Sequence, residues 1–242
     1  LVGSEMCIRD SVLEYKQQLQ AEGKSVYTVN SLVTILKLFY GFCERQGYCD
    51  NIAAGIRSSK RHTEYSKLPL TAEQAFRLLD SIDTATIVGR RDRLMISLML
   101  FNGLRTCEVE RIDIGDFAER EGQPILRIQR KGRTDKNEIV VLHPDTVAWL
   151  EEYIADRNFA SSTPLFVSHK AQCDNRLVRQ TIGRIIKQCL ARIGISHPKI
   201  SAHSLRHTFG ALMVEQGIDI ETIKDMICLL YTSDAADDLI GV

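Results

Sequence analysis

The side chains with the most chemical potential in this sequence are concentrated in residues 201–209, which run Ser-Ala-His-Ser-Leu-Arg-His-Thr-Phe. His203, Arg206 and His207 are spaced i, i+3 and i+4, so on a helix they share one side. One permanent cation and two imidazoles that titrate near neutrality suit the binding and protonation of a phosphate. The same residues also fit a solvated or capped helix face. Histidines at i and i+4 can bind zinc, but Ser204 stands where such helices carry glutamate and no third ligand is nearby.

A second candidate cation follows a strongly apolar segment. Residues 90–102 predict a buried helix that ends at Gly103, and Arg105 comes directly after it, with Glu108 three residues later. A carboxylate at this distance can hold the guanidinium in a fixed position for a ligand. The alternative is a purely structural ion pair.

A third group of cations lies on a predicted β-hairpin. Residues 124–129 alternate apolar and polar side chains as a half-buried strand does, and the apolar residues 139–142 follow after a polar turn. The cations of this region are Arg127, Arg130, Lys131, Arg133 and Lys136. A hairpin tip of this kind can reach a groove or a phosphate, and a solvated loop is the alternative.

Apolar periodicity predicts the elements that must position these groups. Leu205, Phe209, Leu212 and Met213 recur at helical spacing, so residues 201–209 should form a turn and the start of a helix that faces a core. Thr71 and Gln74 form a capping box at the start of an earlier helix. Further helices are expected at 12–21, 145–157, 177–193 and 220–227. Another should begin at Ser25 or Thr28 and run to about Glu44, with Val29, Leu32, Val33, Leu36, Phe39 and Tyr40 inward. A helical turn is expected at 51–56 and a short strand at 164–167. The fold class is therefore mainly α with a small antiparallel β-sheet (α+β).

The segment 57–67 is polar and basic and lacks apolar periodicity. It is interpreted as a linker between two domains. Within that interpretation, an ordinary surface loop and a strap that lies along DNA both remain open.

Composition places the chain among ordinary globular proteins, with 44% hydrophobic and 26% charged residues. No apolar run is expected to be long enough to span a bilayer, and residues 1–11 lack the core of a signal peptide. The seven cysteines are scattered without a Cys-x-x-Cys pair, which indicates reduced thiols and a cytoplasmic location. The zero net charge argues mildly against nucleic acid, yet residues 127–136 and 170–192 are locally basic and can bind a phosphate backbone.

These separate features resemble one family when they are taken together. Residues 103–108 (Gly-Leu-Arg-Thr-Cys-Glu), 130–133 (Arg-Lys-Gly-Arg), 164–167 (Pro-Leu-Phe-Val) and 203–207 (His-Ser-Leu-Arg-His) occur in the order and spacing of tyrosine recombinases. These are the phage-integrase and Xer-type site-specific DNA recombinases. The resemblance covers residues 12–227 and suggests the integrase of a mobile element.

The resemblance implies a domain organisation. Residues 11–60 would be part of a helical core-binding domain, 61–68 a linker, and 69–227 a catalytic domain without its C-terminal end. Residues 1–10 and 228–242 resemble translated sequencing-adapter read-through, and we expect both segments to be foreign.

The resemblance also implies roles for the site residues. Arg105 and Arg206 would grip the scissile phosphate, and Lys131 would be the general acid for the 5′-hydroxyl leaving group, with Lys136 as the alternative. His203 would assist proton transfer. Glu108 would orient the site and His207 would hold the helix in place, both as supporting residues. The residues expected to contact DNA are Arg130, Arg133, Lys136, Arg179 and Arg184.

The nucleophile is where the sequence departs from the family. Asp238 stands where the family spacing places the nucleophilic tyrosine, and Tyr231 comes too early. The chain is therefore expected to bind a double-stranded recombination site without cutting it, with no metal and no cofactor. The family implies a homo-oligomer, a synaptic tetramer at full length, and no membrane. A type IB topoisomerase-like enzyme and a non-catalytic DNA-binding protein on the same fold are the alternatives.

Overall fold

The computed structural model divides the chain into two compact units, Leu1–Glu64 and Tyr65–Val242. The residues that it describes are 2–59, 67–130, 132–155, 163–169 and 175–227, without the side chains of 2–9 and 224–227.

The first unit is built on two helices, α1 (Val2–Ala21) and α2 (Val26–Arg45). Ser25 begins α2 as its N-cap, because its hydroxyl accepts a hydrogen bond from the Thr28 backbone N–H at 3.1 Å. The buried residues that form the core of this unit are Val12, Val33, Ala53 and Ile56. Where a helical turn was predicted at 51–56, the backbone forms turns, with the N–H of Ala54 donating to the Asn51 carbonyl at 3.1 Å.

The α2 helix leaves one apolar face exposed. Phe39, which the periodicity placed inward, is 56% exposed, and Ile35, Leu38 and Phe42 are exposed with it. By length and mean hydropathy alone α2 is also able to cross a membrane. The expectation that no segment is long and apolar enough to span a bilayer is therefore wrong for α2, although core helices of water-soluble proteins also have this length and mean hydropathy.

The second unit contains a helical layer and a small sheet. Its helices are α3 (Ala72–Asp80), α4 (Ile87–Leu100), α5 (Thr106–Glu110), α6 (Pro144–Ile154), α7 (Arg179–Arg192), α8 (Ala202–Glu215) and α9 (Ile220–Ile227). The capping box predicted at the start of α3 is confirmed, since Thr71 and Gln74 exchange two hydrogen bonds of 3.0 and 3.2 Å.

The core of the second unit surrounds α4. Leu94, Met95, Ile96, Leu98 and Met99 are all completely buried. A helix that is apolar on every side must be covered by several neighbours, and α6, α7 and α8 all pack against it. The chain that leaves α4 therefore emerges from a rigid centre directly into Gly103 and Arg105.

The sheet is antiparallel with strands β1 (Phe117–Arg120), β2 (Gln123–Ile128) and β3 (Glu138–Val141) in that order. The predicted β2–β3 hairpin is confirmed, with Leu126 opposite Val140. β1 was not predicted, because Phe-Ala-Glu-Arg lacks the alternation of a half-buried strand. It is joined to β2 by Glu121 and Gly122, both with positive φ, which matches the twist that a two-residue hairpin turn requires.

One predicted strand is wrong. Residues 164–167 form no continuous strand, and only Pro164 and Val167 make isolated bridges, with Asp113 and Arg176 respectively. Leu165, Phe166 and Val167 are buried, which satisfies the sequence pattern of a strand. Among the described residues, however, no neighbouring strand pairs with them along their length.

Candidate active site

The N-terminal turn of α8 presents Arg206. Ser201 precedes the helix, and its backbone N–H donates to the Ser204 hydroxyl at 3.1 Å. Leu205 and Phe209 are buried, which fixes the rotation of the helix about its axis. Arg206 lies between them in sequence and is itself 8% exposed. A long cation is buried to this degree only where specific partners hold it.

The turn after α4 supplies those partners. Gly103 has a φ of 62°, a conformation that favours glycine, and its carbonyl accepts a hydrogen bond from Nη1 of Arg206. Arg105 is the N-cap residue of α5, with its backbone N–H donating to Oε2 of Glu108 at 2.7 Å and its Nη1 donating to Oε1 at 2.9 Å. Both oxygens of one carboxylate are therefore engaged by Arg105.

Glu108 also faces the second arginine. Its Oε2 lies 3.9 Å from Nη1 of Arg206, and its side chain is only 2% exposed. The two guanidinium groups, although about a hundred residues apart in sequence, thus converge on one buried carboxylate. The ion pair expected between Arg105 and Glu108 is present, and it is part of this larger arrangement rather than an alternative to it.

The environment lowers the pKa of Arg206 to about 10. Burial is the largest cause, and the positive charge of Arg105 acts in the same direction, while Glu108 opposes both. The group remains a cation at neutral pH. Because the positive charges of Arg105 and Arg206 repel each other, an anion that contacted both would be bound favourably.

A cavity of about 320 Å³ opens beside Arg206. Its charged lining consists of Glu108, Arg130, Glu138 and Arg206. Its apolar lining includes Phe101, Ile128, Ile139, Val141 and Phe209. The space therefore has a charged wall at the meeting point of α5, α8 and the hairpin, and an apolar wall along β3.

Arg130 lies on this wall, although the sequence placed it at a hairpin tip that contacts DNA. Its Nη2 donates to Oε2 of Glu138 at 2.8 Å. Glu138 was not identified from the sequence. The only available signal was its position across the hairpin from Ile128, which brings it diagonally opposite Arg130 on the same face.

His203 and His207 are on the same side of α8 as Arg206, as their spacing predicted. Their rings are 5.9 Å apart in an edge-to-face arrangement, with His203 exposed and His207 half-buried. Neither histidine is among the residues that line the cavity. Within the described part of the chain, no three side chains of His, Cys, Asp and Glu are placed to hold a metal ion.

The comparison with known families agrees with this geometry. The model described as "Phage integrase family" matches residues 69–228, which is about two thirds of the chain. The chain belongs to the phage integrase family. Its members are tyrosine recombinases, enzymes that break and rejoin DNA.

Curated relatives of this phage integrase family member are Xer recombinases. Tyrosine recombinase XerD of Listeria innocua is 26% identical over 226 residues, covering 90% of this chain and 73% of the relative. XerD of Neisseria meningitidis serogroup A is 32% identical over 197 residues, covering 79% of this chain and 64% of the relative. The chain thus spans about two thirds to three quarters of the length of these relatives.

Solved structures share the fold. XerH bound to its difH substrate in a pre-cleavage complex has a TM-score of 0.70 at 21% identity, with 96% of this chain and 66% of that chain covered. A lambda integrase dimer bound to a COC′ core site has a TM-score of 0.70 at 14% identity, covering 96% of this chain and 64% of that chain. The mainly helical fold with a small antiparallel sheet is therefore the tyrosine recombinase fold.

Lys136 is placed differently from the two roles that the sequence suggested for it in this family. Its ammonium bonds to Oδ2 of Asp113 at 2.8 Å and also to Asp116, and Arg176 binds the other oxygen of Asp113. Burial raises the pKa of Asp113, but the hydrogen bonds from Lys136 and Arg176 outweigh it and leave that pKa below its ordinary value. The ammonium is held by two carboxylates, which argues against both a general acid and a DNA contact at this position.

The remaining residues expected to act in the recombinase are distributed as follows. Lys131 and Tyr231 lie outside the described residues. Arg133 is exposed in the hairpin turn, and Arg179 and Arg184 are exposed on α7. These three arginines are accessible to a polyanion, and none of them lines the cavity.

Proposed function

We propose that this chain is the larger part of a site-specific DNA recombinase or integrase that cleaves and rejoins strands through a 3′-phosphotyrosine. The observation that carries the proposal is the convergence of Arg105 and Arg206 on the buried carboxylate of Glu108, beside a cavity. The family membership and the shared fold support the same reaction.

The chemistry needs this arrangement of cations. Attack on a phosphodiester places additional negative charge on the two non-bridging oxygens, and planar guanidinium forks match that geometry. Preorganised donors aimed at developing charge are typically worth about 3 kcal/mol each. Glu108 keeps Arg105 and Arg206 in position before DNA arrives, so the protein does not reorganise during the reaction.

The proton transfers are assigned to two other residues. Lys131 protonates the 5′-oxygen that leaves, and His203 assists proton transfer at the phosphate. His207 supports the helix. No metal enters this scheme, because the cations that neutralise the phosphate come from the protein and the energy of the broken bond is kept in the phosphotyrosine.

We further propose that the 242-residue chain binds DNA but does not cut it. The support for this is the family spacing, which counted from His203 places the nucleophile near Asp238, so that Tyr231 comes too early. A tyrosine with an ordinary pKa of about 10 is a poor nucleophile unless cations surround it. The proposed partner is a double-stranded recombination site bound by a homo-oligomer, a tetramer for the complete enzyme, in the cytoplasm. The lambda integrase and XerH structures are complexes with DNA.

Duplex binding at low salt tests the DNA-binding part of the proposal. Arg105→Ala and Arg206→Ala should each weaken binding of a generic duplex in a gel-shift titration. Arg120→Ala is the matched control, since this exposed β1 arginine has only a long contact of 3.7 Å with its neighbour Glu121. Equal affinities for all four proteins would refute the assigned phosphate site.

Nicked suicide duplexes with a randomised core sequence test the cleavage part. We expect no covalent protein–DNA adduct with the 242-residue chain. An adduct that disappeared in Tyr231→Phe would show that Tyr231 is the nucleophile after all.

A further inference from the structure

Two charged side chains that line the cavity are not used by the proposed contacts of Arg105 and Arg206 with the phosphate. Arg130 and Glu138 line it together with Arg206 and Glu108. The Arg130 side chain is 20% exposed and its Nε is buried without a hydrogen-bond partner among the described residues. A buried donor left without an acceptor is costly, so an acceptor in the cavity would satisfy it.

The two carboxylates on the wall are held very differently. Glu108 is 2% exposed and contacts both the backbone and the side chain of Arg105. Glu138 has a side chain that is 40% exposed, and its described hydrogen bond is the one to Arg130. Glu108 is therefore a fixed part of the site, whereas Glu138 can turn into solvent at little cost because water replaces its hydrogen bond.

The position of Arg130 is fixed by its backbone rather than by Glu138. Its carbonyl accepts a hydrogen bond from Nη1 of Arg111 at 3.2 Å and another from the Arg133 backbone N–H at 3.1 Å. Arg111 is the C-cap residue of α5, the helix whose N-cap is Arg105. The same short helix thus anchors the first arginine of the site and the backbone of Arg130.

We propose that Arg130 is a third phosphate-contacting residue, and that Glu138 holds its guanidinium until a phosphate displaces the carboxylate. This inference rests on the proposed function, because it assumes that a phosphate binds between Arg105 and Arg206. Its chemistry is an exchange of one anion for another at Arg130, with no bond made or broken.

The exchange has an electrostatic consequence. While Glu138 is bound, three arginines face two carboxylates, and when it leaves, the same arginines face Glu108 alone. The charge of Arg130 is already felt at Arg206, where it contributes to the lowered pKa. A phosphate that contacts both Arg130 and Arg206 would relieve the repulsion between them. Arg130 therefore strengthens phosphate binding by more than its own hydrogen bond to the phosphate contributes.

Titration with inorganic phosphate, followed by the Nε–Hε resonances of the arginines in NMR spectra of the 242-residue chain, tests the inference. The resonances of Arg130 and Arg206 should shift with one common Kd. Arg130→Ala should raise the Kd about tenfold, the loss expected for one charge-assisted hydrogen bond. Glu138→Gln should lower it by about threefold, because a neutral amide holds the guanidinium less strongly. Arg120→Ala and Glu119→Gln, both on the exposed strand β1, are the matched controls and should leave the Kd unchanged.

The outcomes separate this inference from the proposed function. Shifts at Arg105 and Arg206 without a shift at Arg130 would overturn the inference and leave the recombinase proposal standing. An unchanged Kd in Glu138→Gln, which preserves the shape of the side chain, would overturn the displacement step. The absence of a shift at all three arginines would remove the phosphate site, and both proposals with it.

Discussion

Replacement of Glu108 by Gln should destabilise the second unit by about 3 kcal/mol. The carboxylate lies 2.9 Å from Nη1 of Arg105 and 3.9 Å from Nη1 of Arg206. At an effective dielectric constant of about 20, the longer contact alone corresponds to roughly 4 kcal/mol of attraction. Desolvation of the carboxylate offsets part of this, and removing one partner of a buried pair typically costs about 3–5 kcal/mol because the other charge remains buried. Gln keeps the shape and its one amide oxygen can still accept one of the two hydrogen bonds from Arg105, so the loss of the charge is the main change.

Urea unfolding followed by the fluorescence of Trp149 measures this cost. Trp149 is the single tryptophan and lies on α6, so its signal reports the second unit separately from the first. Inorganic phosphate should stabilise Glu108→Gln more than the parent chain, because the anion supplies the missing negative charge between Arg105 and Arg206. Glu110→Gln, a half-buried glutamate on the same helix, is the control and should change stability by less than about 0.5 kcal/mol. A Glu108→Gln protein as stable as this control, or one that phosphate stabilised no more than the parent, would refute the reasoning.

Two further predictions concern the scaffold and use the same fluorescence assay. Gly89→Ala should destabilise the second unit by at least about 2 kcal/mol, because the added Cβ would meet the Asp83 carbonyl oxygen at 1.7 Å. Gly183→Ala, at an open position of α7, should stabilise it by about 0.5–1 kcal/mol. Equal effects of the two substitutions on stability would contradict the packing around Gly89. Asp113→Asn should lower stability at neutral pH, and because the folded-state pKa of this carboxyl is below its ordinary 3.8, the deficit should be complete above about pH 5 and shrink as the pH falls below 3.8. A deficit independent of pH would count against the Asp113 ion pairs.

The sequence was sufficient for the longer helices and the hairpin, but it gave no sign of the five-residue helix α5. Long segments with clear caps, such as α3 and α4, are determined locally, and of the two caps predicted for α2, Ser25 and Thr28, the structure has Ser25. It was insufficient where tertiary pairing decides. β1 forms because β2 lies beside it, and its own four residues carry no strand pattern.

The candidate site likewise combines features that local sequence patterns predict with contacts that they do not. The spacing of His203, Arg206 and His207 follows from helical periodicity, so their shared side could be predicted. The meeting of Arg105 and Arg206 came from the family resemblance, since no local pattern brings residues so distant in sequence to one carboxylate. The contacts of Lys136 with Asp113 could not be predicted, because cations in a polar turn look alike until the partners are known.

The central claim is that Arg105 and Arg206 bind the same phosphate. Crystals soaked in tungstate, a heavy tetrahedral oxyanion located by its anomalous scattering, test it most directly. The account predicts one anion with oxygens about 3 Å from both guanidinium groups, next to Glu108. An anion bound to only one of the two arginines, or density confined to the exposed arginines of α7, would contradict it.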